Sequence, residues 1–170
     1  MTRRHLLSVL TLMSLVFVFL GTVGVSPIHA ADAKIYPGSM CVRYDGTNTP
    51  GYNFSAIGNP SDSTWLLLDC PIVRDHTDRT ISSGVVQVID LHFSEQVYCS
   101  LNSFYRSGDA FLGWWTQPKA SSGTSTGQQT LSFGGVGSNS LAHYYYSCGI
   151  PPKYNGQVSY IISYKVNENQ

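Results

Sequence analysis

The stretch "VIDLHF" (88–93) puts a carboxylate, Asp90, two residues ahead of an imidazole, His92. On an extended strand, residues two apart share a face, so the pair could work as a base and the acid that orients it. Nothing nearby completes such a machine. There is no G-x-S-x-G or H-E-x-x-H motif, and all four cysteines are accounted for below. The alternation also assigns Asp90 and His92 to the polar side of a half-buried strand, and that is the reading adopted.

The densest charge lies in "WLLLDCPIVRDHTDRT" (65–80), where Asp75, His76 and Asp78 stand between Arg74 and Arg79. Carboxylates this close could ligate a hard cation. A calcium loop, however, needs six to eight oxygens and the D-x-[DN]-x-[DN]-G pattern, which is missing. The expectation is a solvated loop in which Arg74 and Arg79 pair with the two aspartates. Glycoside hydrolysis needs two placed carboxylates. The only glutamates are Glu95, in a turn, and Glu168, near the end of the chain. No catalytic residue, metal ligand or cofactor site is assigned, and the chain is read as a non-enzyme.

Aromatic residues give the stronger lead. In "GWWTQP" (113–118) Trp114 and Trp115 are adjacent, so a strand must send them to opposite sides and one core cannot bury both. In "LAHYYYSCGI" (141–150) the same geometry separates Tyr144, Tyr146 and Cys148 from His143, Tyr145 and Ser147. A disulfide-bonded cysteine faces inward, which leaves Tyr145 displayed. An exposed indole or phenol stacks well on a flat apolar surface, including the C–H face of a sugar ring. Trp114, Trp115 and Tyr145 are therefore the candidate ligand-binding residues, with Tyr98 and Tyr105 on neighbouring strands.

These side chains need a β framework, and the sequence supplies one. Nine short runs rich in β-branched and aromatic residues are separated by Gly, Asn, Pro and Ser: 39–44, 52–57, 63–73, 84–93, 96–106, 111–117, 129–133, 142–150 and 157–166. That spacing predicts one all-β domain over residues 34–170, an antiparallel β-sandwich of jelly-roll or immunoglobulin-like type with about eight or nine strands. "FSEQ" (93–96) reads as a tight hairpin, and 120–128 and 134–140 read as loops by composition.

Residues 1–30 have another character. Arg3 and Arg4 precede an apolar stretch, Leu6–Leu20, which ends in Gly and Pro and then in small residues. This order predicts a secretory signal peptide cleaved after Ala30 or Ala33, leaving no membrane span. The remainder carries eight Lys/Arg against ten Asp/Glu, and charged residues are only 12% of the whole. No basic cluster exists to hold nucleic acid. Cys41, Cys70, Cys99 and Cys148 make an even set in an exported chain, which predicts two disulfides. Four cysteines allow three connectivities. Inward faces on 96–106 and 142–150 favour Cys99–Cys148, and Cys41–Cys70 then follows by elimination.

"YPGSMCVRY", "LLLDCPIVRD", "VYCSLNSF" and "YYYSCGIPPKYNGQVSYIISYKV" occur in an order that resembles a group of small exported bacterial all-β proteins with four cysteines. The likeness spans most of residues 36–166. It implies bacterial origin, export, the same cysteine pairing and a sandwich fold, and it implies no activity or site residue. The expected role is recognition of a carbohydrate or cell-surface polymer in the periplasm or outside the cell. The alternative is a subunit that self-associates, through the segment "ADAKIYPGSM" and unpaired sheet edges. A hydrolase ranks behind both.

Overall fold

The computed structural model describes residues 33–123, 125–137 and 139–169. The signal-peptide reading falls on residues outside these. In chain order the strands are β1 (Ala33–Pro37), β2 (Val42–Asp45), β3 (Gly51–Asn53), β4 (Ala56–Gly58), β5 (Leu66–Ile72) and β6 (Ile81–Asp90). They continue with β7 (Tyr98–Ser107), β8 (Ala110–Trp115), β9 (Lys119–Ala120), β10 (Ser125–Val136), β11 (His143–Ile150) and β12 (Tyr160–Glu168). The described residues contain no helix long and apolar enough to cross a membrane.

The strands form two antiparallel sheets. The first runs β10-β6-β12, and the far edge of β12 is shared by β1 and by β4, with β3 beyond. The second runs β2-β5-β11-β7, and the far edge of β7 is shared by β8 and β9. From β4 onward the chain crosses between sheets at nearly every connection, which is the jelly-roll member of the two topologies expected.

The core is period-two alternation made physical. Leu66, Leu68 and Cys70 of β5 are fully buried while Leu67 and Asp69 between them are not. Val86 and Val88 of β6 share one core with Tyr144 and Tyr146 of β11. The buried tyrosines earn their hydroxyls: the Tyr146 O–H donates to the Lys165 carbonyl of the opposite sheet at 2.9 Å. The Tyr164 O–H donates the other way, to the Pro71 carbonyl at 2.8 Å. Their rings meet edge to face at 5.8 Å. Burial pushes both phenols up from their usual pKa.

Gly84 makes room for this arrangement, because a Cβ there would lie 1.8 Å from the Tyr146 hydroxyl oxygen. Gly84→Ala is expected to cost about 1–3 kcal/mol through forced repacking, read as a lower denaturant midpoint. An unchanged midpoint would show that the Tyr146 hook is dispensable.

The structure corrects several expectations. Twelve strands are present among the described residues, instead of about eight or nine. The run 52–57 breaks into a β3–β4 hairpin because Phe54 turns the chain at φ 53°. β9 is two residues long, and β1 arises ahead of the first expected run. "FSEQ" is not a hairpin, since β6 and β7 lie in different sheets. Much of the two supposed loops is strand β10, whose Leu131, Phe133 and Val136 are buried against the core despite Gly and Ser neighbours. The segment 33–37 pairs with β12 as strand β1.

Two disulfides join Cys41 to Cys70 and Cys99 to Cys148. Such bonds form and persist in an oxidising compartment.

Candidate functional site

The second sheet buries one face in the core and presents the other outward. Its outward positions follow from register. On β7 they are Tyr98, Ser100, Asn102 and Phe104, alternating with the buried Cys99, Leu101 and Ser103; Asn102 points outward but is covered, at 6% exposure. Opposite these, β11 contributes Gly149, Ser147, Tyr145 and His143 in that order. β5 adds Asp69, paired with Ser147, and Pro71, paired with Tyr145. β8 places Trp115 beside Asn102 and Gly113 beside Phe104.

The rings on this face touch in a chain. Trp115 stacks on Phe104 at 6.5 Å and 12°, and Phe104 meets Tyr145 at 6.1 Å. Tyr145 stacks on His143 at 5.7 Å and 14°. On the other flank Trp65, just ahead of β5, contacts Tyr98 at 5.5 Å. Two glycines let rings lie flat on the sheet. A Cβ at Gly113 would come within 2.8 Å of the Phe104 ring, and one at Gly149 within 2.4 Å of the Tyr98 ring. The result is an aromatic floor with five strands beneath it, roughly 19 Å across at ~4.8 Å per strand spacing.

Polar groups are few on this floor. Asn102 is spent locally, its amide donating to the Ser100 carbonyl at 3.1 Å and to the Ser100 hydroxyl at 3.2 Å. Asp69 differs. It is half-buried, and among the described residues no hydrogen bond or ion pair reaches its carboxylate. Burial raises its pKa above the ordinary carboxylate value, and His143 pulls it partly back. Burial likewise raises the phenols of Tyr98 and Tyr145. Tyr44 of β2 adds to both shifts, and Asp69 adds to that of Tyr145.

Of the three residues singled out from sequence, two stand on this floor and one does not. Trp115 is 63% exposed and faces outward with Tyr145. Trp114 pairs with the inward-facing Ser103, stacks on Tyr105 at 5.9 Å and packs against Gly137. Because β8 overhangs the sandwich, Trp114 still keeps 43% exposure, but on the other side of the sheet. Sequence reasoning missed Trp65, Phe104, Tyr44 and Asp69 as members of the floor. The alternation "LLLDCP" could have exposed Asp69, since it sits out of phase with buried Leu68 and Cys70.

The other constellations are structural. Asp90 is fully buried; its carboxylate accepts from the His92 N–H at 3.0 Å, from the Ser159 hydroxyl at 3.0 Å and from the Ser121 hydroxyl. His92 Nδ1 accepts from the N–H groups of Ser94 and Glu95, at 3.3 and 2.8 Å, so it serves as a turn cap. Near residues 74–79 the expected pairing is replaced. Arg74 donates to the carbonyls of Thr77, Arg79 and Ala142 and lies 4.4 Å over the Tyr144 ring. Asp75 pairs instead with Lys34 at 3.0 Å, and Lys34 also reaches the buried Glu168 at 2.9 Å. The guanidinium finds better partners in the carbonyls that the turn leaves open.

Fold and floor together define a jelly-roll β-sandwich with an aromatic outer face. Among solved structures the chain is similar to a low-affinity xylan-binding module, CBM86, from the gut symbiont Roseburia intestinalis. The two share 13% identity over 81% of this chain and 96% of that one, with a TM-score of 0.46. It is also similar to a family two carbohydrate esterase from Cellvibrio japonicus, at 7% identity over 83% of this chain and 35% of that one, TM-score 0.47. A third is the CBM36-1 domain of a xylanase from the hindgut metagenome of Trinervitermes trinervoides, at 9% identity, 82% and 98% coverage, TM-score 0.42. At these values no residue and no ligand transfers to this chain. No protein-family model matches the chain, and no curated protein matches it in sequence.

Proposed function

We propose that the outer face of the second sheet is a non-catalytic platform for a carbohydrate polymer met outside the cytoplasm. The carrying observation is the run of contacting rings on the floor. Phe104 and Tyr98 lie against glycines, and Trp115 and Tyr145 extend the same surface. Flat ring faces suit the C–H faces of sugar rings, and a row of them suits a chain of such rings. The two disulfides support a location in an oxidising compartment.

Affinity measured on a panel of soluble polysaccharides tests the proposal. Trp115→Ala and Tyr145→Ala are each expected to weaken binding roughly ten-fold by removing a stacking surface. Trp114→Ala, on the other side of β8, is expected to leave affinity unchanged. Wild-type affinity in both of the first two variants would reject the platform.

Self-association is the second reading. β10, twelve residues long, ends the first sheet with its outer edge unpaired among the described residues, and such edges accept a neighbouring strand. A mass measured by light scattering that stays monomeric at high concentration would remove it.

A further inference from the structure

We infer that the polymer recognised on this face carries free amino groups, with an ammonium seated against Asp69 among the tyrosine rings. The inference rests on the platform reading above and adds the chemical class of its ligand. Three features lead to it.

First, the middle of the floor holds one carboxylate and no cation. Asp69 lies on β5 between Val42 and Ser147 in register. Asp45 is at the margin on β2, and its carboxylate already accepts from the Gly46 N–H. Arg106 is at the opposite margin, donating to the Gly108 carbonyl and lying over Phe111. His143, the one basic neighbour of Asp69, has its ring stacked on Tyr145.

Second, among the described residues no hydrogen bond or ion pair reaches the Asp69 carboxylate, although the residue is partly withdrawn from water. Its hydrogen-bond donors are left for water or a ligand to supply. Asn102 and Ser100, further along the same face, are engaged with each other.

Third, tyrosines flank Asp69 on the outer face. Tyr145 pairs with Pro71, two residues along β5 from Asp69, and Tyr44 stands two residues along β2 from Val42, the residue paired with Asp69. Aromatic faces carry negative charge density and attract a cation within about 6 Å of the ring centre. A carboxylate and tyrosine faces select the same partner, a positively charged group that only donates. An acidic sugar would meet repulsion at the centre of the site.

Short glucosamine oligomers and their N-acetylated counterparts differ in charge and share a backbone, which makes them the discriminating pair. Calorimetric titration in low-salt buffer near neutral pH is expected to show the amino form binding about ten-fold more tightly. Added salt should shrink the difference. Asp69→Asn should abolish it without lowering the melting temperature, because the half-buried charge is removed and its shape is kept. Equal affinity for both oligomers, or a preference that survives Asp69→Asn, overturns the inference and leaves the platform standing. Binding to no member of a wider panel of neutral, acidic and amino polysaccharides overturns both.

Discussion

Replacing Cys99 and Cys148 together with alanine is expected to lower the unfolding free energy by roughly 4 kcal/mol. The crosslink closes a loop of sequence separation 49, and the chain-entropy account gives about that value for such a loop. Losing Cys41–Cys70, at separation 29, should cost slightly less. Against a total of about 5–15 kcal/mol for a domain, either loss is large. The two should differ in what else they disturb. Cys99 and Cys148 are direct neighbours on β7 and β11, the strands that carry Asn102, Phe104 and Tyr145 on their outer side. Those strands stay in register through their hydrogen-bond ladder, so the floor should persist in the folded fraction. Ligand affinity at low temperature is then expected to survive a fall in urea midpoint. A midpoint unchanged in the double variant, or by reductant in the parent, would show that the crosslinks add nothing to stability.

Much of this architecture follows from alternation alone. The order of residues 143–148 separates Tyr144 and Tyr146 from Tyr145, and in the fold the first two are buried while Tyr145 is half-buried on the outer face. Adjacent tryptophans must diverge, and they do; which one faces outward depends on how β8 registers with β7, a long-range fact. The floor itself was not legible, because β2, β5, β7, β8 and β11 bring together side chains from residues 44 to 145. The role of Gly113 and Gly149 is invisible until the ring on the neighbouring strand is known. Strand limits failed where local chemistry misleads. Gly and Ser in β10 read as loop, yet pairing with β6 and three buried side chains make it the longest strand. Phe54, an unlikely residue for a left-handed turn, splits a run that pattern alone would keep whole.

Asp90→Ala is expected to cost about 3 kcal/mol or more, with ligand binding retained wherever the variant stays folded. The carboxylate is fully buried and draws together three connections far apart in sequence. It accepts from the N–H of His92 just after β6, from Ser121 between β9 and β10, and from Ser159 just before β12. Ser159 in turn accepts from the Leu91 N–H at 2.9 Å, so the network continues into the backbone. Alanine would strand these donors in a site closed to water, and each buried group left unpaired costs about 1–3 kcal/mol. Asp90→Asn should be milder, because the amide oxygen still accepts and Ser121 has a second acceptor in the Val97 carbonyl at 3.3 Å. That ordering separates a structural carboxylate from a reacting one. A reacting group would lose its activity equally in Asn and Ala and change stability little. A tie that holds three loops must instead show graded stability, Asp above Asn above Ala, in denaturant titration. Equal midpoints for all three would mean that something other than Asp90 holds this end of the sandwich.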